Sequence, residues 1–90
     1  MNWLQSLGAV DTIRDYRMSV EGIRDQVLQH ALAQLHKGLP PEQALEELAR
    51  QLSNKLMHTP CSSMKQAGYD GRAELLFAAR ELFNLKELDN

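Results

Sequence analysis

Apolar residues recur every three or four positions along most of this 90-residue chain. That interval is typical of amphipathic α-helices, and no stretch shows the strict alternation of a half-buried β-strand. The longest regular run is Ile13, Tyr16, Val20, Ile23 and Val27, separated alternately by three and four residues. This spacing keeps one narrow apolar seam in line along a helix, as two nearly parallel packed helices require. The pattern predicts an all-α fold.

The first predicted helix covers residues 9–36, roughly 28 residues and ~42 Å at ~1.5 Å per residue. Gly38 suits the left-handed position just beyond its C-terminus. Residues 1–8 are assigned to the end of a connecting helix or linker, and residues 9–90 to one helical dimerisation domain. Such a helix is longer than a domain of this size needs, so a second copy is expected to cover part of it. We therefore expect a small helical bundle with a long first helix, forming a helical homodimer.

Prolines and glycines set the expected limits of the later helices. A second helix begins at Pro40-Pro41, because a first-turn proline lacks only an N–H that would be unpaired anyway. Thr59-Pro60 is predicted to end it, since the residue before a proline disfavours the helical conformation. A short helix to about residue 67 follows, and then a last helix over about residues 71–85, capped by Asp70.

The apolar stripes of these helices define the expected core. In the second helix the stripe is Ala44, Leu45, Leu48, Leu52 and Leu56. In the last helix it is Leu75, Leu76, Ala79, Leu82 and Phe83. The residues chosen to build the core and the dimer interface are Ile13, Tyr16, Val20, Ile23, Val27, Leu48, Leu52 and Leu56.

Charge and composition favour a soluble helical module. The formal net charge is −2, with 43% hydrophobic and 24% charged residues, which gives no electrostatic case for strong binding to nucleic acid or membranes. No apolar run approaches the ~20 residues of a membrane helix, and the N-terminus lacks the order of a signal peptide. A single cysteine allows no internal disulfide, which fits the reducing cytoplasm. We expect a cytoplasmic protein with no membrane partner.

The residues that could carry chemistry form no convincing site. His58 and Cys61 are three apart, with His30 and His36 elsewhere, but a structural zinc site needs four ligands in recognisable spacing and no second pair exists. We expect no metal ligand and no catalytic residue. A mild basic stretch, residues 48–69, contains Arg50, Lys55 and Lys65 and no acid before it ends. These three residues are candidates for RNA contact, although three cations without interleaved aromatic residues are typical of a solvated helix face.

Residues 52–60 have a sequence typical of a known family. This sequence is Leu-Ser-Asn-Lys-Leu-Met-His-Thr-Pro. It resembles the Leu-Thr-Asn-Lys-Leu-Leu-His-x-Pro segment of glutamyl-tRNA reductases. Upstream, residues 13–17 and Arg24-Asp25 look like the start of that family's C-terminal dimerisation domain. Downstream, residues 63–67 and 81–85 resemble its end. Ser53, Met57 and Cys61 depart from the family's Thr, Leu and Thr.

The resemblance implies a part of an NADPH-dependent oxidoreductase that converts glutamyl-tRNA to glutamate-1-semialdehyde, the first step of the five-carbon route to haem and other porphyrins. The family's catalytic cysteine and NADPH site belong to regions that this chain lacks. In agreement, the five glycines are isolated and form no Gly-x-Gly-x-x-Gly motif. The 90 residues would then contain no catalytic or cofactor-binding residue and would only assemble the homodimer, while the parent enzyme binds glutamyl-tRNA.

Two other functions stay open at this point. A stand-alone helical adaptor would be a monomer with an open apolar patch for another protein. A small RNA-binding bundle would bind through Arg50, Lys55 and Lys65 in a salt-dependent manner.

Overall fold

The computed structural model describes the backbone of residues 3–86 and the side chains of residues 8–86. Within that range it consists of three helices and no strand: α1 (Trp3–His36), α2 (Pro41–Asp70) and α3 (Ala73–Leu82). The predicted all-α fold with a long first helix is confirmed. The chain divides into two compact units: unit 1 comprises residues 1–56 and unit 2 comprises residues 57–90.

Helix α1 is longer than predicted, because it begins at Trp3 rather than near residue 9. Gly8 does not interrupt it, and the Gly8 carbonyl accepts a hydrogen bond from the Thr12 hydroxyl at 2.9 Å. A glycine inside a helix costs only about 1 kcal/mol relative to alanine, which one residue in a 34-residue helix can bear. Residues 1–8 were predicted to belong to a connecting segment. The structure describes the side chain of only the last of these residues, so this assignment stays a prediction.

The end of α1 follows the prediction closely. Gly38 adopts a φ of 100°, in the left-handed region that a side chain would disfavour. The backbone N–H of Gly38 donates to the Leu35 carbonyl, and that of Leu39 donates to the Gln34 carbonyl, each at 3.0 Å. This pair of bonds is the Schellman arrangement, which satisfies carbonyls at a helix end. The chain is thereby turned so that α2 can return beside α1.

Unit 1 is a helical hairpin with a narrow core. Val27 and Ala31 of α1, together with Ala44 of α2, are its buried apolar residues among those described. Leu48 lines the same small space between the helices. Two of these four side chains are methyl groups, so the helix backbones can approach closely and bury Val27 almost completely. The core therefore lies beside the C-terminal half of α1.

Helix α2 runs without a break from Pro41 to Asp70, so the predicted helix end at Thr59-Pro60 and the separate short helix after it are wrong. Proline removes one backbone hydrogen bond and disfavours the preceding turn, but its fixed φ is itself helical. In unit 2 the half-buried Pro60 ring lines an apolar groove with Met64 and Leu75. Burial of the ring offsets part of that cost. The prediction missed this contribution, because it considered only the conformational preference of the residue before proline.

The junction between α2 and α3 also differs from the prediction. Gly71 has a φ of 71°, and the backbone N–H of Arg72 donates to the Ala67 carbonyl at 2.8 Å. Asp70 does not cap α3; its carboxylate accepts hydrogen bonds from the Gln66 side chain at 3.1 and 3.3 Å. Helix α3 has Arg72 at its N-cap position without a side-chain cap, and it ends at residue 82 rather than near 85.

The first turn of α3 holds one perturbed carboxylate. A hydrogen bond from the backbone N–H of Glu74 lowers the pKa of this side chain, and the Arg72 side chain adds to the effect. The Nε atom of Arg72 lies 3.1 Å from Oε1 of Glu74. Both side chains are exposed, so the pair contributes little to stability.

Two predicted core stripes are only partly covered within the single chain. In the stripe predicted for the last helix, Leu75, Leu76 and Ala79 are half-buried, whereas Leu82 and Phe83, the residue after α3, are exposed. On α2, Ala44 is buried and Leu45 is exposed, so the placement of Leu45 in the core is wrong for the isolated chain. Leu45 follows Ala44 and points about 100° away from it around the helix, off the face that meets α1.

Candidate self-association surface

The predicted seam of α1 passes from a buried to an exposed environment. Val27 is 2% exposed, whereas Tyr16 and Ile13 are 62% and 57% exposed. Val20 and Ile23 lie between them in the sequence and are half-buried. All five residues occupy one side of the helix by their spacing, so exposure rises along a single face toward the N-terminus.

The position of the packed residues accounts for this gradient. Helix α1 has 34 residues and measures about 51 Å, and the described buried residues of unit 1 lie only along its C-terminal half. Residues 41–56 of α2 lie beside that half, where Val27 and Ala31 meet Ala44 and Leu48. Every residue from Gly8 to Ser19 is exposed. The apolar seam therefore continues well past the buried core of the hairpin.

We call the exposed residues Ala9, Ile13 and Tyr16, together with the half-buried Val20 that follows them, the N-terminal seam. Three nearby charged residues, Asp11, Arg14 and Asp15, lie on the opposite side of α1 and partner one another. The Arg14 guanidinium lies 3.3 Å from the Asp11 carboxylate and 3.6 Å from that of Asp15. Exposed ion pairs of this kind contribute at most about 1 kcal/mol. None of the four residues of the N-terminal seam is itself charged.

A second exposed apolar surface lies on the C-terminal half of α1. Leu28, Leu32 and Leu35 are spaced four and three residues apart and are each at least two-fifths exposed. We call them the leucine stripe. They lie about 100° around the helix from the face that packs on α2. The spacing in the sequence predicts that the apolar stripe of the first helix widens to these leucines beyond Val27, but they were not among the residues chosen for the interface.

The other predicted core and interface residues lie on α2. Leu48, Leu52 and Leu56 are half-buried, all three within unit 1. The eight residues chosen for the core and interface did not include Ala31 or Ala44, although Ala44 belongs to the predicted core stripe of the second helix. Both alanines are more deeply buried than any of these leucines. Methyl side chains give a weak signal in sequence, because alanine is common both inside and outside helical cores.

The candidate RNA-contacting residues do not share one face. Arg50, Lys55 and Lys65 are all exposed on α2. Five residues separate Arg50 from Lys55, which places them about 140° apart around the helix. Lys65 belongs to unit 2, whereas the other two belong to unit 1. Contact of these residues with RNA stays a prediction.

Other residues singled out in the sequence show no site geometry. Among the described residues, no group of three or more His, Cys, Asp or Glu side chains is placed to hold a metal ion. Cys61 is an exposed free cysteine, and His30 is exposed with its Nε2 atom 3.4 Å from Nε2 of Gln34. A Cβ atom added at Gly22 would meet nothing within 4 Å. Of the helices described, none combines the length and apolarity needed to cross a membrane.

Unit 2 has an apolar groove of its own. Pro60 and Met64 of α2 line it together with Leu75, Leu82 and Phe83 from the α3 region. Phe77 lies on the outer side of α3 and is largely exposed. Unit 2, like α1, thus presents apolar side chains that the chain itself leaves uncovered.

Comparison with known proteins gives a consistent family match. A family model described as "Glutamyl-tRNAGlu reductase, dimerisation domain" matches residues 1–85. Glutamyl-tRNA reductase of Methylococcus capsulatus is 46% identical over 89 residues, which cover 99% of this chain and 21% of the relative. The enzymes of that name from Photobacterium profundum and Saccharophagus degradans are 41% and 43% identical over 88 and 81 residues. These alignments cover 98% and 90% of this chain, and 21% and 19% of the relatives.

The chain thus spans about a fifth of the length of the curated relatives it matches (21% for the first). No solved structure matches it.

Proposed function

Because the chain belongs to the dimerisation-domain family of glutamyl-tRNA reductases, we propose that it joins two copies of such an enzyme into a homodimer. The resemblance carried by residues 52–60 is confirmed by these matches. The function rests on assembly rather than on chemistry within the 90 residues.

The observation that carries the proposal is the exposed continuation of the α1 seam. Ile13 and Tyr16 repeat the spacing that buries Val27, but more than half of each residue is exposed. Burying one such side chain is worth about 1.5–3 kcal/mol. Contiguous apolar surface left open on a small soluble domain marks an interaction site. For a chain of this family, a second copy is the partner that the name of the domain specifies.

The predicted residues divide into three roles under this proposal. Val27 and Leu48 hold the hairpin together, because they meet between α1 and α2. Ile13 and Tyr16 contact the second copy. The half-buried residues, which border both regions, are Val20, Ile23, Leu52 and Leu56.

For the complete protein we propose the activity of the family: NADPH-dependent reduction of glutamyl-tRNA to glutamate-1-semialdehyde, at the entry to haem biosynthesis in the cytoplasm. The catalytic and NADPH-binding residues would lie in other parts of that protein. The present 90 residues would hold two catalytic arms at a fixed separation. This role needs rigid helices and a stable interface, and a 34-residue helix supplies the length.

Sedimentation equilibrium of the 90-residue chain over a wide concentration range tests the assembly role. The monomer has a mass of 10.2 kDa, so we expect a species of twice that mass that dissociates on dilution. A chain that stays monomeric at the highest concentration would contradict the proposal and favour the helical adaptor. In that case, the exposed seam would be available to an unrelated protein.

A further inference from the structure

We propose that a polar groove in unit 1 binds the ribose–phosphate backbone of an RNA, with Lys55 on a phosphate and neighbouring amide side chains on ribose hydroxyls. The RNA would be the tRNA of the complete enzyme, so this inference rests on the activity proposed above and adds a contact surface to it. Homodimerisation is a separate property of the same 90 residues.

The groove lies between the two helices of unit 1 and receives side chains from both. We call it the polar groove. Val27 is buried at its base, Gln51 is half-buried, and its other side chains are exposed. None of the described residues that line it is acidic. The lining residues are Gln26, Val27 and His30 of α1 and Gln51, Asn54 and Lys55 of α2.

The polar groove and the exposed leucines lie on different sides of the hairpin. His30 is two residues from Leu28 of the leucine stripe, and Asn54 is two residues from Leu52 on α2. Two residues correspond to about 200° around a helix, so each polar side chain points nearly opposite to its leucine. The polar groove is therefore separate from the apolar side chains that a second copy would cover.

Lys55 supplies the positive charge of the groove without an acidic partner. Among the described residues it takes part in none of the ion pairs, and residues 48–69 contain no Asp or Glu. The nearest acid before it on α2 is Glu47, about 12 Å away along the helix axis. The Glu47 carboxylate accepts a hydrogen bond from Nε2 of Gln51 at 2.9 Å. The Lys55 ammonium group is therefore available to a phosphate.

The amide side chains of the groove suit the sugar part of an RNA backbone. An amide both donates and accepts hydrogen bonds, and so does a ribose 2′-hydroxyl. Gln26 and Asn54 place one exposed amide on each helix beside the groove. Lys, Asn and Gln side chains are among those that contact phosphates and sugars in nucleic-acid complexes. Together with Lys55, these amides match alternating phosphates and riboses.

The open shape of the groove favours a polymer over a small molecule. A small-molecule pocket encloses about 70–90% of its ligand, whereas Gln26, His30, Asn54 and Lys55 are all exposed to solvent. An RNA backbone crosses a surface and needs only a few contacts at each place. With a net charge of −2, the chain provides one supporting contact rather than a strongly attractive surface.

Fluorescence anisotropy of a labelled tRNA transcript specific for glutamate, titrated with the 90-residue chain at several salt concentrations, tests this inference. Lys55→Ala should lower the slope of log affinity against log salt by about 1, because one phosphate contact is removed. Asn54→Ala should weaken binding severalfold without changing the slope, because the amide carries no charge. Circular dichroism checks that both variants keep their helical content.

Lys65→Ala is the matched control. It removes the same charge from another exposed lysine of α2, one that does not line the polar groove. The affinity and the salt slope should stay as in the unsubstituted chain. Equal loss of slope in Lys55→Ala and Lys65→Ala would overturn the groove as the site and indicate diffuse attraction to positive charge.

The outcomes separate the groove from the homodimer. No tRNA binding by the unsubstituted chain at low salt would overturn the inference, whatever its mass by sedimentation. Binding that depends on Lys55 and Asn54 in a chain that stays monomeric would support the groove and contradict the homodimer. Equal binding of a DNA strand of the same sequence would overturn the pairing of the amides with ribose hydroxyls.

Discussion

Val27 and Tyr16 belong to the same apolar seam of α1, three helical turns apart, yet one is 2% exposed and the other 62%. The difference lies in what stands opposite them. Ala44 and Leu48 of α2 meet the helix at Val27, whereas every residue from Gly8 to Ser19, Tyr16 included, is exposed. Spacing in the sequence therefore identifies residues that share a face, and a neighbouring element decides whether that face becomes core or interface.

The largest expected effect is on the buried half. Val27→Asp places an unpaired carboxylate in the hairpin core and should lower the free energy of unfolding by more than about 3 kcal/mol. Chemical denaturation followed by circular dichroism measures this change. Ala33→Asp is the control on the exposed side of the same helix, where the loss should stay below about 1 kcal/mol. Equal losses at both positions would show that the hairpin core is not as described.

The next effect separates the exposed half from the core. Tyr16→Asp should weaken dimerisation at least ~100-fold, about 2.8 kcal/mol, while the helical content at high concentration changes little. Met18→Asp is a close control, because Met18 is 63% exposed and lies on the other side of α1. Sedimentation equilibrium of both variants gives the two dissociation constants. If the two substitutions weakened the dimer equally, the effect on dimerisation would not depend on position along the seam. That result would contradict the assignment of Tyr16 to the interface.

A smaller effect is expected where the two halves meet. Ile23 is half-buried, so Ile23→Ala should cost about 1–2 kcal/mol, less than the removal of a fully buried aliphatic side chain. Because Ile23 borders both regions, we expect the loss to divide between unfolding of the hairpin and dissociation of the dimer. Denaturation at several protein concentrations separates the two contributions. A loss independent of concentration would place Ile23 wholly within the hairpin core.

The smallest effect concerns the basic residues of α2. Changing Arg50, Lys55 and Lys65 together to Ala should alter the dissociation constant of the dimer less than about twofold, since single exposed charges contribute little. A filter-binding assay with tRNA at low and high salt provides the second measurement. Salt-dependent tRNA binding that requires all three residues equally, rather than Lys55 alone, would support the small RNA-binding bundle instead.

Two interruptions of the helical pattern show how far local rules reach. Gly38 was predicted to end α1 and does so, because a positive φ and two local hydrogen bonds are properties of the adjoining residues. Pro60 was predicted to end α2 and does not. Its ring is half-buried beside Met64 and Leu75, and this packing is invisible to a rule about adjacent residues. Asp70 likewise engages Gln66 rather than capping α3.

The sequence by itself determined the helical class, the family, the end of α1 at Gly38 and the set of residues that share the α1 seam. These depend on local conformational preference and on spacing, which are properties of neighbouring residues along the chain. Only the tertiary structure decided that Val27 is the buried member of the α1 seam, that α2 continues through Pro60, and that Ile13 and Tyr16 remain open. Burial is a relation between helices far apart in sequence, and it depends on where α2 meets α1.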